Sequence, residues 1–227
     1  MTTKINDLLF PFEDFFQKHS GNIFGFGQAA RDIALEHVTQ FRTAVDIGAH
    51  VGISVHCWAP KFHQVVAFEP MVDHYECLVE NTKKFTNVNT HNCAISNESR
   101  MLRGAYRSKK NSGSFQLLTD DWTPNPKKVQ PEIYNIPSRR LDEFGLENID
   151  LIKIDVEGWE LEVLKGAKET IKQWKPVLLI EFTQGGGREH KSMNTYNVDD
   201  YYNLINELGY QQVGVVNDDY IYCTKND

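Results

Sequence analysis

The chain has 227 residues, 41% hydrophobic and 24% charged, a balance ordinary for a soluble globular protein and long enough for one α/β domain with an N-terminal extension. Its 31 acidic residues outnumber 24 Lys and Arg, for a net charge of −7 with no basic block, which argues against a nucleic-acid partner held on a broad basic surface. No stretch approaches the roughly 18 apolar residues of a membrane span, no signal peptide is legible, and four scattered cysteines form no CxxC pair, so the expectation is a cytoplasmic protein without membrane contact or a zinc site.

In chain order, residues 1–40 read as a helical extension and 41–227 as the main domain. "TAVDI" (43–47), "QVVAFE" (64–69), "NTHNCAIS" (89–96), "IDLIKID" (149–155) and "PVLLIEF" (176–182) read as strands. Several are apolar without alternation, as strands buried on both faces of a parallel sheet are. "DHYECLVENTKKF" carries Tyr75, Leu78, Val79 and Thr82 on one helical face. "WELEVLKGAKETIKQW" aligns Leu164, Ala167, Ile171 and Trp174 on a single helix that Pro176 stops. "NVDDYYNLINELGY" opens with Asn197 as an N-cap and closes at Gly209. "QQVGVV" and "YIYCTK" around "NDD" form a hairpin. The pattern predicts a doubly wound, mostly parallel seven-stranded sheet ending in an antiparallel hairpin. Residues 97–141, broken by "SGS", "TPNP" and "NIPS", are too long for an ordinary connection and predict extra short strands or substrate-facing loops.

"AVDIGAHVG" puts Asp46, Gly48 and Gly52 at the first strand-to-helix junction, where ligands of a doubly wound sheet sit. The D-x-G-x-x-x-G spacing differs from the G-x-G-x-x-G of nicotinamide dinucleotide proteins. Asp46 would repel a pyrophosphate and suits an ammonium group. Glu69, followed by Pro70 at the end of the next strand, can accept both hydroxyl protons of a ribose. Ammonium plus ribose without pyrophosphate describes S-adenosylmethionine. The competing structural reading, a helix cap at 46 and an exposed strand end at 69, explains each residue alone but not the set.

"VDIGAHVG", "AFEP", "NCAIS" and above all "IDLIKIDVEGWELEVLKGA" resemble the FkbM family of S-adenosylmethionine-dependent methyltransferases over residues 43–182. The "D-V-E-G-x-E" run is the specific part. The resemblance implies that Asp46, Gly48, Ala49, His50 and Gly52 line the methionine side of the cofactor, and that Glu69 and Pro70 hold the ribose. Asn92, Cys93 and Ala94 then lie along the adenine. The loop departs from the family in carrying His50 where Asn is usual, a swap that a backbone-mediated role tolerates. The resemblance also supports an oxygen acceptor on a small molecule or glycan.

"IKIDVEGWE" gathers Asp155, Glu157 and Glu160 across a strand-to-helix join. Lys153 in a central strand needs a carboxylate partner, which predicts a Lys153–Asp155–Glu181 cluster at the carboxyl edge of the sheet. Asp155 is the first candidate for the base that takes a hydroxyl proton, and Glu157, facing the cleft, the second. Glu160 suits the first turn of its helix. A divalent cation on Asp155, Glu157 and Glu181 is chemically conceivable, but no metal is assigned. His190, in "TQGGGREHKSMN", and Glu181 are substrate-facing candidates, against a solvated-loop reading of His190. Arg107, Lys109 and Lys110 could grip an acidic or sugar substrate, although a solvated surface explains them as well. His56, His63, His74 and His91 show no ligand spacing, and Trp159 and Trp174 read as packing residues. Two further readings stay open: a nicotinamide-dependent oxidoreductase, disfavoured by the glycine spacing and Asp46, and a non-catalytic binding protein of the same fold. A homo-oligomer is also left open.

Overall fold

The computed structural model describes residues 2–11, 22–108, 111–125, 130–182 and 198–225. It opens with β1 (Thr3–Ile5) and β2 (Leu8–Phe10), joined through Asn6 and Asp7 at φ 45° and 70°. A two-residue turn of this hand matches the twist of paired strands and selects Asn and Asp. The expectation of a helical stretch up to residue 40 is therefore corrected. Among the described residues there, helix is confined to a 3-10 turn at Ile23–Gly25 and to α1 (Gln28–Glu36).

Next come β3 (Thr43–Ile47), α2 (Ile53–Trp58), β4 (Gln64–Phe68), α3 (Val72–Thr82) and β5 (Val88–His91). Four strands follow: β6 (Ala94–Ile95), β7 (Met101–Tyr106), β8 (Phe115–Leu118) and β9 (Tyr134–Arg139). They pair in the order β6-β9-β7-β8 as a separate accessory sheet. "NTHNCAIS" is thus two strands in two sheets, and residues 97–141 carry the expected short strands. The chain then runs β10 (Ile149–Ile154), α4 (Glu160–Gly166), α5 (Lys168–Trp174), β11 (Val177–Glu181), α6 (Val198–Glu207), β12 (Tyr210–Val216) and β13 (Asp219–Thr224). Asn197, the expected cap of α6, lies outside the described residues. The single helix expected over 159–174 is broken at Ala167 (φ −111°). Just before the break, a Cβ on Gly166 would stand 1.9 Å from the Ser96 carbonyl oxygen, so close main-chain contact requires a glycine there.

The main sheet has the order β12-β13-β11-β10-β3-β4-β5. Its strands are parallel except for β13, which is antiparallel to both β11 and β12. This is the seven-stranded doubly wound sheet the sequence predicts. The chain travels outward from β3 to β5, then returns to β10 on the other side of β3. A topological switch point lies between β3 and β10, and a crevice opens at their carboxyl ends.

Alternation along each strand divides the core. Val45, Ile47, Ile152, Ile154, Leu178 and Ile180 pack toward α4–α6 and the accessory sheet. Ala44, Val65, Ala67, Leu151 and Leu179 pack toward α1 and α2, around the buried Trp58. The N-terminal hairpin closes over α3, where Leu9 N donates to Asn81 Oδ1 (2.7 Å) and Asn81 Nδ2 donates to Leu9 O (3.0 Å). Trp159 and Trp174 are packing residues with a polar handle: their indole N–H groups donate to Ser96 Oγ and Leu146 O, each at 3.0 Å. Trp159→Phe deletes a buried hydrogen bond and is expected to lower stability by about 1–3 kcal/mol. A urea midpoint equal to wild type would show that the Ser96 bond contributes nothing.

Candidate active site

The crevice holds a cavity of about 500 Å³ whose floor is made by the carboxyl ends of β3, β10 and β11. After β3, Gly48 N and Ala49 N both donate to Phe68 O at 3.0 Å, folding the loop toward β4. Gly48 has φ +82°, and a Cβ on it would stand 1.8 Å from the Asp155 carbonyl oxygen. Gly48 lines the cavity, as the resemblance implies, and its missing Cβ also admits the main chain leaving β10. Gly52 (φ +91°) starts α2, and a Cβ there would meet Leu78 Cδ1 at 2.8 Å, so it packs α2 onto α3 and does not line the cavity.

Asp46, Lys153 and Glu181 continue the strand face that carries Ala44, Leu151 and Leu179. Lys153 lies beside Asp46 in the β10–β3 register. Its ammonium donates to Asp155 Oδ2 at 2.8 Å and stands 3.7 Å from Asp46 Oδ1. Asp155 is hydrogen-bonded to Glu181, so the Lys153–Asp155–Glu181 cluster exists, with Asp46 as a fourth member. Burial disfavours the Lys153 charge, but Asp155 and Asp46 outweigh it and raise the lysine's pKa. Burial pushes Asp155 up, while Lys153 and the Glu181 hydrogen bond bring it below the usual carboxylate range. The Asp155 charge and burial push Glu181 well above that range. The two carboxyls are thus driven in opposite directions, Asp155 toward the ionised form by Lys153 and Glu181 toward the neutral form by Asp155 and burial.

Asp46 is 1% exposed, and burial raises its pKa despite Lys153. Its Oδ1 accepts no hydrogen bond among the described residues. A buried acceptor left this way is costly, and a ligand donor would satisfy it. Glu69 is fixed in place: Oε2 accepts from His50 N and Oε1 from Met71 N, both at 2.9 Å. His50 takes φ +50°, a region tolerated by Asn and His, and its backbone amide is what binds Glu69. Burial and His74 hold the His50 pKa well below its usual value.

Glu157 also has a left-handed backbone (φ +55°), strained for a non-glycine residue. Burial and the Asp155 charge push its carboxyl up to about 8, against Arg107 (3.9 Å) and a hydrogen bond with Gln116. Glu160 is buried at the start of α4 and accepts from Gly158 N at 2.8 Å, a local turn role. Pro70, Cys93 and Ala94 line the cavity at the Glu69 end. Asn92 does not; its amide donates to Glu69 O (2.9 Å) and Pro70 O (3.1 Å) and buttresses that turn. His190, Lys109 and Lys110 lie outside the described residues. Among the described residues, no three His, Cys, Asp or Glu are placed to hold a metal ion, and no helix is long and apolar enough to cross a membrane.

The chain matches the Methyltransferase FkbM domain over residues 46–211. It belongs to the FkbM methyltransferase family. Two curated relatives are similar to it: Methyltransferase sdnD of Sordaria araneosa, 28% identical, with 58% of this chain and 66% of that one covered, and Methyltransferase 1 of Beauveria bassiana, 25% identical, covering 54% and 57%. The chain thus spans less than two thirds of the length of either. The crystal structure of Methyltransferase FkbM from Methylobacillus flagellatus KT superposes with a TM-score of 0.56 at 22% identity, over 82% of this chain and 45% of that one. At that identity the likeness is one of fold.

Within this family frame, the cavity also contains residues that the sequence did not single out for it. Arg31 of α1 is buried and donates to Phe24 O and Phe26 O at 2.6 Å, pinning the turn before α1 as one wall. Asp219, opposite Glu181 in the β11–β13 pairing, is pushed up to about 6 by burial and Asp155. Ser112, Phe115 and Leu117 bring the accessory sheet to the cavity. The predicted hairpin covers the β12–β13 pairing alone; the β11–β13 pairing that brings Asp219 beside Glu181 is not part of it. No local signal marks Arg31, and the short strands expected over 97–141 carry no sign of how they pair into a sheet.

Proposed function

We propose that this chain is an S-adenosylmethionine-dependent methyltransferase acting on a hydroxyl oxygen of a small molecule or glycan. The reading rests on one observation: the buried, unsatisfied Asp46 Oδ1 on a cavity whose other end carries Glu69, held by two backbone amides. An amino-acid ammonium would satisfy the first and ribose hydroxyls the second, so the residues present fit the cofactor. Cys93 and Ala94 offer an apolar edge for adenine. When bound, S-adenosylmethionine supplies a methyl group on a cationic sulfonium centre. The chain's own part is to fix both ends of that molecule, exclude water and receive the proton of the acceptor hydroxyl.

For that proton, Glu157 is better suited than Asp155. Asp155 is engaged by Lys153 and Glu181, and its lowered pKa makes it a weak base. Glu157 faces the accessory-sheet side with a pKa near neutrality, where general bases work best. The oxygen acceptor draws support from this carboxylate and from the family.

Calorimetry with S-adenosylmethionine, S-adenosylhomocysteine and NAD tests the reading. Wild type should bind the first two and not NAD, and Asp46→Ala should weaken S-adenosylmethionine by about 10- to 100-fold, as loss of a hydrogen bond to a charged group implies. Preference for NAD would favour an oxidoreductase, and no binding at all a non-catalytic fold.

A further inference from the structure

Resting on that cofactor reading, we infer that His74 and Tyr106 are positioning residues for the ribose-binding carboxylate, and that through them the accessory sheet sets the orientation of Glu69. His74 lies in the first turn of α3 and is 2% exposed. Its Nδ1 is 3.4 Å from Glu69 Oε1, and its Nε2 is 3.1 Å from the Tyr106 hydroxyl on β7. A ring with its proton on Nδ1 faces Glu69 as a donor and accepts the Tyr106 O–H at Nε2. The carboxylate, which can only accept, favours this tautomer, and the phenol completes it by donating to Nε2 and so holds the ring against Glu69.

Tyr106 is itself held in place, with its ring edge-on to Phe115 (5.2 Å) and Tyr134 (5.9 Å). A second strut runs alongside. The His50 ring meets His74 edge-on at 4.6 Å, and its Nε2 is 2.6 Å from Ser112 Oγ, just before β8. Both side chains flanking Glu69 are thus tied to the accessory sheet. A carboxylate that must meet two adjacent hydroxyls needs a fixed plane. The two backbone amides place its oxygens, and His74 restrains rotation on the Oε1 side.

The test measures binding of S-adenosylhomocysteine and of its analogue lacking both ribose hydroxyls, to wild type, Tyr106→Phe and His74→Gln, each verified as folded by thermal melting. Tyr106→Phe should weaken S-adenosylhomocysteine by about 3- to 10-fold, the range of one hydrogen bond, and leave the analogue's affinity unchanged. Wild-type preference for the hydroxylated ligand should shrink by the same factor, the coupling a thermodynamic cycle isolates. His74→Gln should show the same pattern. An equal loss for both ligands, or no loss for either, would overturn the inference by reducing the chain to a structural contact. Failure of wild type to bind S-adenosylhomocysteine would instead remove the cofactor reading, and this inference with it.

Discussion

Lys153→Met is expected to destabilise the fold by about 3–5 kcal/mol near neutral pH, the cost typical of removing one partner from a buried ionic group. The ammonium neutralises Asp155 at 2.8 Å and Asp46 at 3.7 Å. Without it, two carboxylates share a poorly hydrated cleft with Glu181 and Asp219. Folded Lys153 has a raised pKa, so its contribution is fully present below its unfolded value and constant across the acidic and neutral range. Any pH dependence of the deficit must then come from the abandoned acids. Their folded pKa values rise in the variant, so the folded state gains protons on acidification and the deficit narrows. Urea unfolding at about pH 5 and about pH 8 should give a smaller difference from wild type at the lower pH. Equal midpoints for variant and wild type at both pH values would show that the cluster stabilises nothing.

Glu157→Gln should reduce turnover by about 10²- to 10⁴-fold with little change in S-adenosylmethionine affinity, the loss expected when a general base is removed. The acceptor for such an assay comes from a screen of hydroxylated sugars, lipids and polyketides for methyl uptake. In wild type, Glu157 must be ionised to accept a proton, so turnover should climb as pH rises through about 8 and then level off. The variant should lack that limb. Stability should move in the opposite sense. The folded pKa lies above the ordinary 4.5, so the folded state binds the extra proton between 4.5 and about 8, and stability falls as pH rises across that window. Glu157→Gln should flatten this slope. A wild-type rate profile that keeps its shape in the variant would assign the base to another group.

Much of this site was legible because its parts sit at the ends of strands that announce themselves. β3, β4, β10 and β11 are apolar runs buried on both faces, so the carboxylates ending or following them, Asp46, Glu69, Asp155 and Glu181, could be placed at one sheet edge before any coordinates. The accessory sheet was not legible as a sheet. β7 and β9 pair Met101 with Pro137 and Gly104 with Tyr134, across some thirty intervening residues, and a proline inside a run argues against a strand. The N-terminal hairpin has a turn signal in Asn6-Asp7, which the reading of residues 1–40 as one helical extension does not use. His74 and Tyr106 escaped for a different reason: each is unremarkable in its own element, and only the docking of two sheets brings them together. Asp155 ranks above Glu157 in the sequence because it ends a strand at the carboxyl edge of the sheet, a placement that carries no information on how closely Lys153 engages it.

The contact between Gly48 and the main chain at Asp155 limits how this pocket can diverge. The glycine loop and the acidic turn are interlocked backbone to backbone, so neither can be enlarged, shortened or tilted without displacing the other. Room for a different acceptor therefore has to be found on the opposite wall, around Ser112, Phe115 and Leu117. Variants selected for altered acceptor size should concentrate their changes there.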